Sequence, residues 1–391
     1  MKSVRPFEKR LKILHVVPAI EEEAGGPSTI LRTLIPLLEG VGIESELVTT
    51  VPASEFRFKD ASMYDPHLGV HVHVFARSHM AGWRYAFGLS TWINENIGRF
   101  DLIHIRSLYS YPALIASRVA AKSGVPRLLE PQGAVSRWSQ SYKRYKKWPY
   151  LRMVERGQVL NAEGILVTHP VEERDMHQIS FGRHGEVFCV PPPITCPIVP
   201  LDTEGKLAGA KLLFLSRLHE KKGLELLLRA YSEIDVRYCN GMCIAGSGER
   251  AYEARLNRLV IELGLENRIS LLGHVSGDRR EQAFNEGALL VLPSWDENFG
   301  LVVVEAVARG LPVIASDAVA AAEYLAENGF ARIFNAGDAN ALKETIVQAL
   351  SDFEWRKYVL ENGPSFVRDN YAPEIYTKAI AGIYSTLALK R

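Results

Sequence analysis

Pro191-Pro192-Pro193-Ile194-Thr195-Cys196-Pro197-Ile198-Val199-Pro200 is the stretch on which the reading of this chain turns. Five prolines in ten residues cannot continue a helix or a central strand, because proline lacks an amide donor and its ring fixes φ. The segment therefore predicts a stiff linker. It falls near the midpoint of 391 residues. At ~100–200 residues per domain, that length suggests two domains, each with room for a buried core.

On both sides of this segment, short β-branched runs alternate with amphipathic stretches. Before the linker, strands are expected at Leu11–Val17, Glu46–Thr50, Val70–Phe75, Asp101–Ile105, Arg127–Glu130, Gly164–Thr168 and Val187–Val190, with helices such as Ser28–Leu38 and Pro112–Lys122 between them. After it come strands Lys211–Leu215, Met242–Ala245, Ile269–Leu272, Ala288–Leu292 and Pro312–Ala315. Helices are expected at Gly223–Ile234, Arg250–Leu263, Asp278–Glu286 and Leu301–Ala308. Such alternation predicts βαβ units and a doubly wound parallel sheet in each half. Ligands of these sheets bind at the carboxyl ends of the strands, so two facing sheets would frame a cleft suited to two substrates.

Composition narrows the function. Lys+Arg number 46 and Asp+Glu 45, a net of +1, so there is no bulk charge for wrapping nucleic acid. Four cysteines, Cys189, Cys196, Cys239 and Cys243, form no C-x-x-C pair and read as reduced thiols. No run of ~18 apolar residues spans a bilayer. The basic N-terminus runs into Pro18 after a short apolar stretch and reads as a first strand rather than a signal peptide, which predicts a cytoplasmic protein. Neutrality is not uniform, however. Arg137–Arg156 holds seven basic residues against Glu155, a net of +6, leaving −5 for the rest.

Three strand-to-helix junctions carry candidate chemistry. Gly25-Gly26-Pro27-Ser28 follows the first strand and offers close backbone approach and exposed amides, although a plain tight turn has the same composition. Arg217 and Lys222, in Phe214-Leu215-Ser216-Arg217-Leu218-His219-Glu220-Lys221-Lys222-Gly223, put two cations at a strand end, where a diphosphate could be neutralised. Lys221 and Glu220 read as solvated. Pro293-Ser294-Trp295-Asp296-Glu297-Asn298-Phe299-Gly300 leads into a helix bearing Glu305 amid valines and alanine. A carboxylate there is costly unless it serves a partner, and a sugar or ribose hydroxyl is one.

Arg217…Lys222-Gly223 together with Pro293-Ser294…Glu297-x7-Glu305 resembles the two signature blocks of the retaining family 4 glycosyltransferases. The likeness is strongest from Lys211 to Asp338. It implies the α/β GT-B fold, with two Rossmann-like doubly wound parallel-sheet domains facing across a cleft. Residues 1–192 would form the acceptor domain, with a C-terminal helix at about 372–391 packing back on it, and 193–371 the nucleotide-sugar donor domain. Carried over by position, Arg217 and Lys222 would grip the diphosphate and Glu305 the ribose, while Glu297 would hydrogen-bond the donor sugar. Asn298 and the amides of Phe299, Gly300 and Leu301 would meet sugar and phosphate. Gly26 would approach the phosphates, Gly246 and Gly248 would line the nucleotide pocket, the backbone near Val275 would flank the base, and His104 would face the sugar. The family's retaining outcome is assigned to front-face attack, so no enzymatic nucleophile is expected. No D-x-D sequence occurs and no metal or other cofactor is expected, with Arg217 and Lys222 supplying the charge instead. Where relatives carry Asn-Gly, this chain has Val190-Pro191-Pro192-Pro193.

Two further features compete for attention. Gly246-Ser247-Gly248-Glu249-Arg250-Ala251 fits the G-x-G-x-x-A dinucleotide fingerprint, with Glu262 or Glu266 downstream, but sits on the second strand of its domain rather than the first. In the basic stretch, Arg137, Trp138, Lys143, Arg144, Lys146 and Lys147 interleave charge with aromatics. A solvated face would look the same, yet the mixture also suits an anionic membrane surface or a lipid-diphosphate acceptor. The expectation is a metal-independent transferase moving a sugar, glucose above all, from a UDP-sugar (UDP-glucose) to a glycan or lipid-linked acceptor in envelope or exopolysaccharide synthesis. It would be cytoplasmic or peripheral on the inner membrane face. A nucleotide-sugar epimerase of the same shape, or a catalytically silent scaffold, would be the alternatives.

Overall fold

The computed structural model describes residues 10–20, 26–56, 62–65, 69–78, 83–136, 150, 154–180, 184–195 and 210–391. The chain divides into two compact units, Met1–Pro193 with Pro373–Arg391, and Ile194–Ala372.

The first unit runs β1 (Leu11–Val16), α1 (Gly26–Gly40), β2 (Ile43–Pro52), β3 (Ser62–Asp65), β4 (Val70–Arg77), α2 (Leu89–Asn96), β5 (Leu102–Ile105), α3 (Tyr111–Ser123), β6 (Arg127–Leu129), α4 (Arg156–Asn161), β7 (Gly164–Val167), α5 (Pro170–Ser180) and β8 (Glu186–Cys189). Its sheet has the order β3-β4-β2-β1-β5-β6-β7-β8. Every pairing is parallel except β3 on β4, an antiparallel edge that the alternation in the sequence does not announce. β5 and β7 are buried along their whole length, as strands covered by helices on both faces must be. The Ser110 hydroxyl caps α3 by accepting from the Ala113 amide, Pro112 occupies its first turn, and left-handed Gly124 ends it.

The second unit runs β9 (Lys211–Leu215), α6 (Leu224–Ser232), β10 (Gly241–Ala245), α7 (Arg250–Glu262), β11 (Ile269–Gly273), α8 (Gly277–Glu286), β12 (Leu289–Leu292), α9 (Leu301–Ala308), β13 (Val313–Ser316), α10 (Ala320–Glu327), β14 (Ala331–Phe334), α11 (Ala339–Ser351) and α12 (Phe353–Tyr371). The sheet order is β11-β10-β9-β12-β13-β14, all parallel. Val302-Val303-Val304 would suit a strand by intrinsic preference, yet lies in α9. Burial decides: Val303, Val304 and Val307 pack among Leu290, Leu292 and Val313 in one core cluster.

A final helix, α13 (Pro373–Ala388), belongs to the first unit and buries Tyr376, Ile380, Ile383, Tyr384 and Leu387 there. Of the cysteines, Cys239 and Cys243 are buried and Cys189 is exposed; Cys196 lies outside the described residues. Among the described residues, no helix is long and apolar enough to cross a membrane.

Candidate functional site

In the second unit, counted from its own first strand, the order reads 3-2-1-4-5-6, and it reverses between β9 and β12. Adjacent connections there leave in opposite directions and open a crevice at the carboxyl ends. Residues 216–223 leave β9 and residues 293–300 leave β12, so the two motifs singled out by sequence meet at that point. Their backbones are joined: the Trp295 amide donates to the Lys221 carbonyl at 2.8 Å. Gly223 has φ +66, and a Cβ there would lie 2.0 Å from the Pro293 carbonyl, which only glycine permits.

The charges at the junction are paired in tandem. Lys222 Nζ meets Glu297 Oε2, with side chains 15% and 18% exposed, and Lys221 Nζ meets Asp296 Oδ2 at 2.5 Å. Lys221 is therefore held in the site rather than solvated, a correction that comes from register, since Lys-Lys and Asp-Glu doublets face each other across two loops. Glu220 is exposed, as expected, in a surface pair with Arg255 at 2.8 Å. Arg217, by contrast, is exposed and has no ion-pair partner among the described residues. It stands as the open cation of the site.

Gly246 and Gly248 have a reason internal to the protein. The Ser216 amide donates to the Ala245 carbonyl at 3.1 Å and the Leu218 amide to the Ser247 carbonyl at 2.9 Å, extending the β9–β10 pairing past the strand ends. A Cβ on Gly246 would lie 1.9 Å from the Ser216 carbonyl oxygen, and one on Gly248 2.1 Å from that of Leu218. The G-x-G spacing follows from this close approach and requires no dinucleotide.

Gly300, at φ +89, is the N-cap of α9, and a Cβ would strike Val319 at 2.7 Å. The amides of Leu301 and Val302 begin the helix there, while Val303 N already donates to Gly300 O. Phe299 is buried, its ring 6.1 Å from that of Tyr371, so only its backbone can serve a ligand. Asn298 is half-buried beside Glu297. Glu305 is not an unpaired buried acid: it is partly exposed and pairs with Arg280 of α8. That arginine was missed, because nothing in the local sequence of α8 marks it. Val275 is buried in the loop between β11 and α8.

The remaining candidates lie in the first unit. Gly26 opens α1 directly after the β1 loop, and Gly25 lies outside the described residues. His104, on β5, has 0% exposure. Its Nε2 lies 3.1 Å from Glu130 Oε2 and its Nδ1 2.7 Å from the Tyr384 hydroxyl. A carboxylate only accepts, so Nε2 carries the proton and Nδ1 accepts from Tyr384. Burial, then the neighbouring Arg106 cation, holds this imidazole down at about 4, and it is neutral. Arg106, also fully buried, lies 2.8 Å from the same Glu130 oxygen. Burial opposes ionisation of Glu130, but Arg106 and the His104 contact outweigh it and leave the acid at about 2. The Nδ1 of His104 is thus engaged by Tyr384, while Nε2 lies close to Glu130 Oε2 without a hydrogen bond of its own. The basic candidates Arg137, Trp138, Lys143, Arg144, Lys146 and Lys147 lie outside the described residues. Among the described residues, no group of three or more His, Cys, Asp or Glu side chains is arranged to hold a metal ion.

Comparison with known proteins bears on this geometry. Residues 25–193 match the model of the glycosyl transferase 4-like domain, and residues 205–366 that of glycosyl transferases group 1. An uncharacterised glycosyltransferase of Methanocaldococcus jannaschii is 30% identical over 174 residues, 44% of each chain. A lipopolysaccharide core biosynthesis mannosyltransferase of Rhizobium leguminosarum is 30% identical over 175 residues, 44% of this chain and 49% of that protein. The matched part thus spans less than half the length of these curated relatives. Among solved structures, sucrose-phosphate synthase of Thermosynechococcus elongatus superposes with a TM-score of 0.77 at 20% identity, over 98% of this chain and 100% of that one. Anabaena HepE, solved in complex with UDP-glucose, gives 0.74 at 19% identity, over 96% and 100%. Both likenesses are of fold.

Proposed function

Because this chain belongs to the group 1, family 4-type glycosyltransferases of GT-B fold, we propose that it is a retaining, metal-independent sugar transferase. The donor in this reading is a UDP-sugar, UDP-glucose above all. The acceptor is a glycan or a lipid-linked diphosphate glycan in envelope or exopolysaccharide synthesis. The observation that carries it is the strand-order reversal between β9 and β12, where an open cation, an ordered lysine–glutamate pair and the first amides of α9 gather. Support for the UDP donor comes from HepE, which was solved with UDP-glucose. Support for an envelope acceptor comes from the lipopolysaccharide core mannosyltransferase.

In this mechanism the anomeric C–O bond breaks and its electron pair stays on the departing diphosphate. Arg217 and Lys222 face that developing charge together with the α9 amides, a fixed arrangement that favours the transition state over the ground state. Glu297 orients Lys222 and accepts from a sugar hydroxyl, while Glu305, held by Arg280, accepts from the ribose. The acceptor oxygen bonds to the anomeric carbon on the face the phosphate leaves, and its proton passes to the departing phosphate oxygen. Arg217 and Lys222 take the place of a divalent cation, so EDTA should leave turnover unchanged.

Calorimetric titration with UDP tests the reading. Arg217→Ala and Glu305→Ala should each weaken binding about ten- to hundredfold, the range for a lost charge-assisted hydrogen bond. A hydrolysis screen over UDP-, GDP- and ADP-sugars then identifies the donor without knowledge of the acceptor. If none of UDP, GDP or ADP binds, the donor assignment fails. Work at the inner membrane face is part of the same reading and rests on the basic stretch. Anionic vesicles should sediment the wild type but not a Lys143/Arg144/Lys146/Lys147→Ala variant, and equal partitioning would remove it.

A further inference from the structure

The sheet of the first unit has its own reversal, between β1 and β5. The chain leaving β5 there passes through Tyr109 and Tyr111, and an aromatic cluster grows out from them. Tyr111 lies 5.4 Å from Trp83 and 4.6 Å from Tyr85, Tyr85 lies 5.2 Å from Phe87, and Tyr109 lies 6.0 Å from Tyr150 between ring centroids. The Trp83 indole N–H donates to the Tyr150 hydroxyl at 2.8 Å and closes the set. Three separate segments supply these rings, and none of the six is buried; Phe87 is 75% exposed. Tyr109 and Tyr111 pack against the core of the unit, and the rings run from that edge out to exposed Phe87.

Backbone geometry singles out the same place. Among the described residues, three non-glycines have positive φ: Arg84 (57°), Tyr109 (57°) and Gln132 (53°). Two are in this cluster. A side chain held in the left-handed region costs about 1–3 kcal/mol and persists only where its surroundings impose it, most often at ligand sites. Here the surroundings are specific. The Tyr111 amide donates to the Trp83 carbonyl at 2.8 Å, and the Tyr109 amide donates to the carboxylate of fully buried Glu155 at 3.0 Å. Glu155 is fixed in turn by the Gln158 amide at 2.7 Å.

We propose that this cluster is a carbohydrate-stacking subsite, which, resting on the transfer reading above, receives a sugar ring of the acceptor. The chemistry selects that class. Aromatic faces suit the C–H faces of a pyranose. The polar edges are mostly spent inside the cluster, the Trp83 N–H on Tyr150, the Tyr150 hydroxyl on Glu155 and the Tyr111 hydroxyl on Ser90, so stacking rather than edge hydrogen bonding carries the recognition. An acyl chain would call for the aliphatic side chains that the cluster lacks. Glu155 acts as a positioning residue, holding Tyr109 in its left-handed conformation.

Saturation-transfer NMR on the full chain, with methyl glucoside, galactoside and mannoside as probes, tests the proposal beside a UDP titration of the same samples. At least one pyranoside should bind the wild type. Phe87→Ala and Tyr85→Ala should weaken it about three- to tenfold, Tyr85→Phe by less than twofold, and UDP affinity should not move. Phe87 is 75% exposed, so its loss removes little buried surface, and unchanged thermal unfolding shows that the variant is folded. The proposal is overturned if UDP binds but no pyranoside does, or if the alanine variants bind sugar like the wild type. It is equally overturned if Phe87→Ala abolishes sedimentation with phosphatidylglycerol vesicles while leaving sugar binding intact, since the cluster would then be a membrane contact. Failure of UDP alone would remove the donor assignment and leave the sugar result standing.

Discussion

At the scale of single residues, the candidate site is defined by which charges have partners. Lys222 and Glu297, at the strand-order reversal, are largely shielded and paired. Lys222→Ala should cost about 1–3 kcal/mol by leaving a carboxylate without its cation, whereas adding Glu297→Ala to that variant should cost less than the two single changes together. Urea midpoints of the four proteins measure the coupling, and strict additivity would deny it. Glu155 presents the opposite case. Burial pushes it up to about 7 from 4.5. The unfolded chain releases that proton first, so stability falls as pH rises from about 4.5 to about 7 and is level above. Glu155→Gln should remove up to about 3 kcal/mol of this loss. Unfolding of both proteins at pH 5 and pH 8 checks it: a constant difference between them would show that Glu155 is not the titrating group.

At the scale of elements, α13 completes the unit from which it is most distant in sequence. Tyr384 donates to His104 on β5, and Tyr376 and Tyr384 face the buried Arg106. The cluster was foreshadowed only in part. His104 stands out in the sequence, but its meeting with Glu130 and with Tyr384, 280 residues away, is a product of strand order and of the returning helix. Tyr384→Phe should destabilise the first unit by about 1–3 kcal/mol, because a buried imidazole nitrogen loses its donor. Unchanged thermal unfolding would mean that the hydroxyl contributes nothing. The α9 segment teaches the complementary lesson. Its valines favour extended structure, and the helix forms because apolar sheet lies beneath it.

At the scale of the whole molecule, two open sheets, parallel but for the β3 edge, each present a reversal of strand order, and each reversal gathers the unit's unusual residues. On this basis UDP should slow amide exchange in 215–223, 245–249 and 293–306 of the second unit while leaving the β1–β8 sheet unaffected; protection spread evenly over both units would contradict the site. Much of this was legible in the sequence. Alternating β-branched and amphipathic runs are local patterns, as are a proline-rich break, a strand-end Arg217 and a helix-opening Gly300, and local patterns survive in one dimension. The edge strand β3, the Arg280 partner of Glu305, the Lys221–Asp296 pair and the aromatic cluster were not. Each depends on which segments lie side by side, and that follows from the burial of whole faces rather than from any neighbour in the chain. The kinds of element, their order and the chemistry carried to the strand ends follow from the residues alone. Which of those groups are paired, which stand open, and the backbone contact made by Gly246 and Gly248 follow from the fold, because ion pairs and close approaches are properties of distance in space.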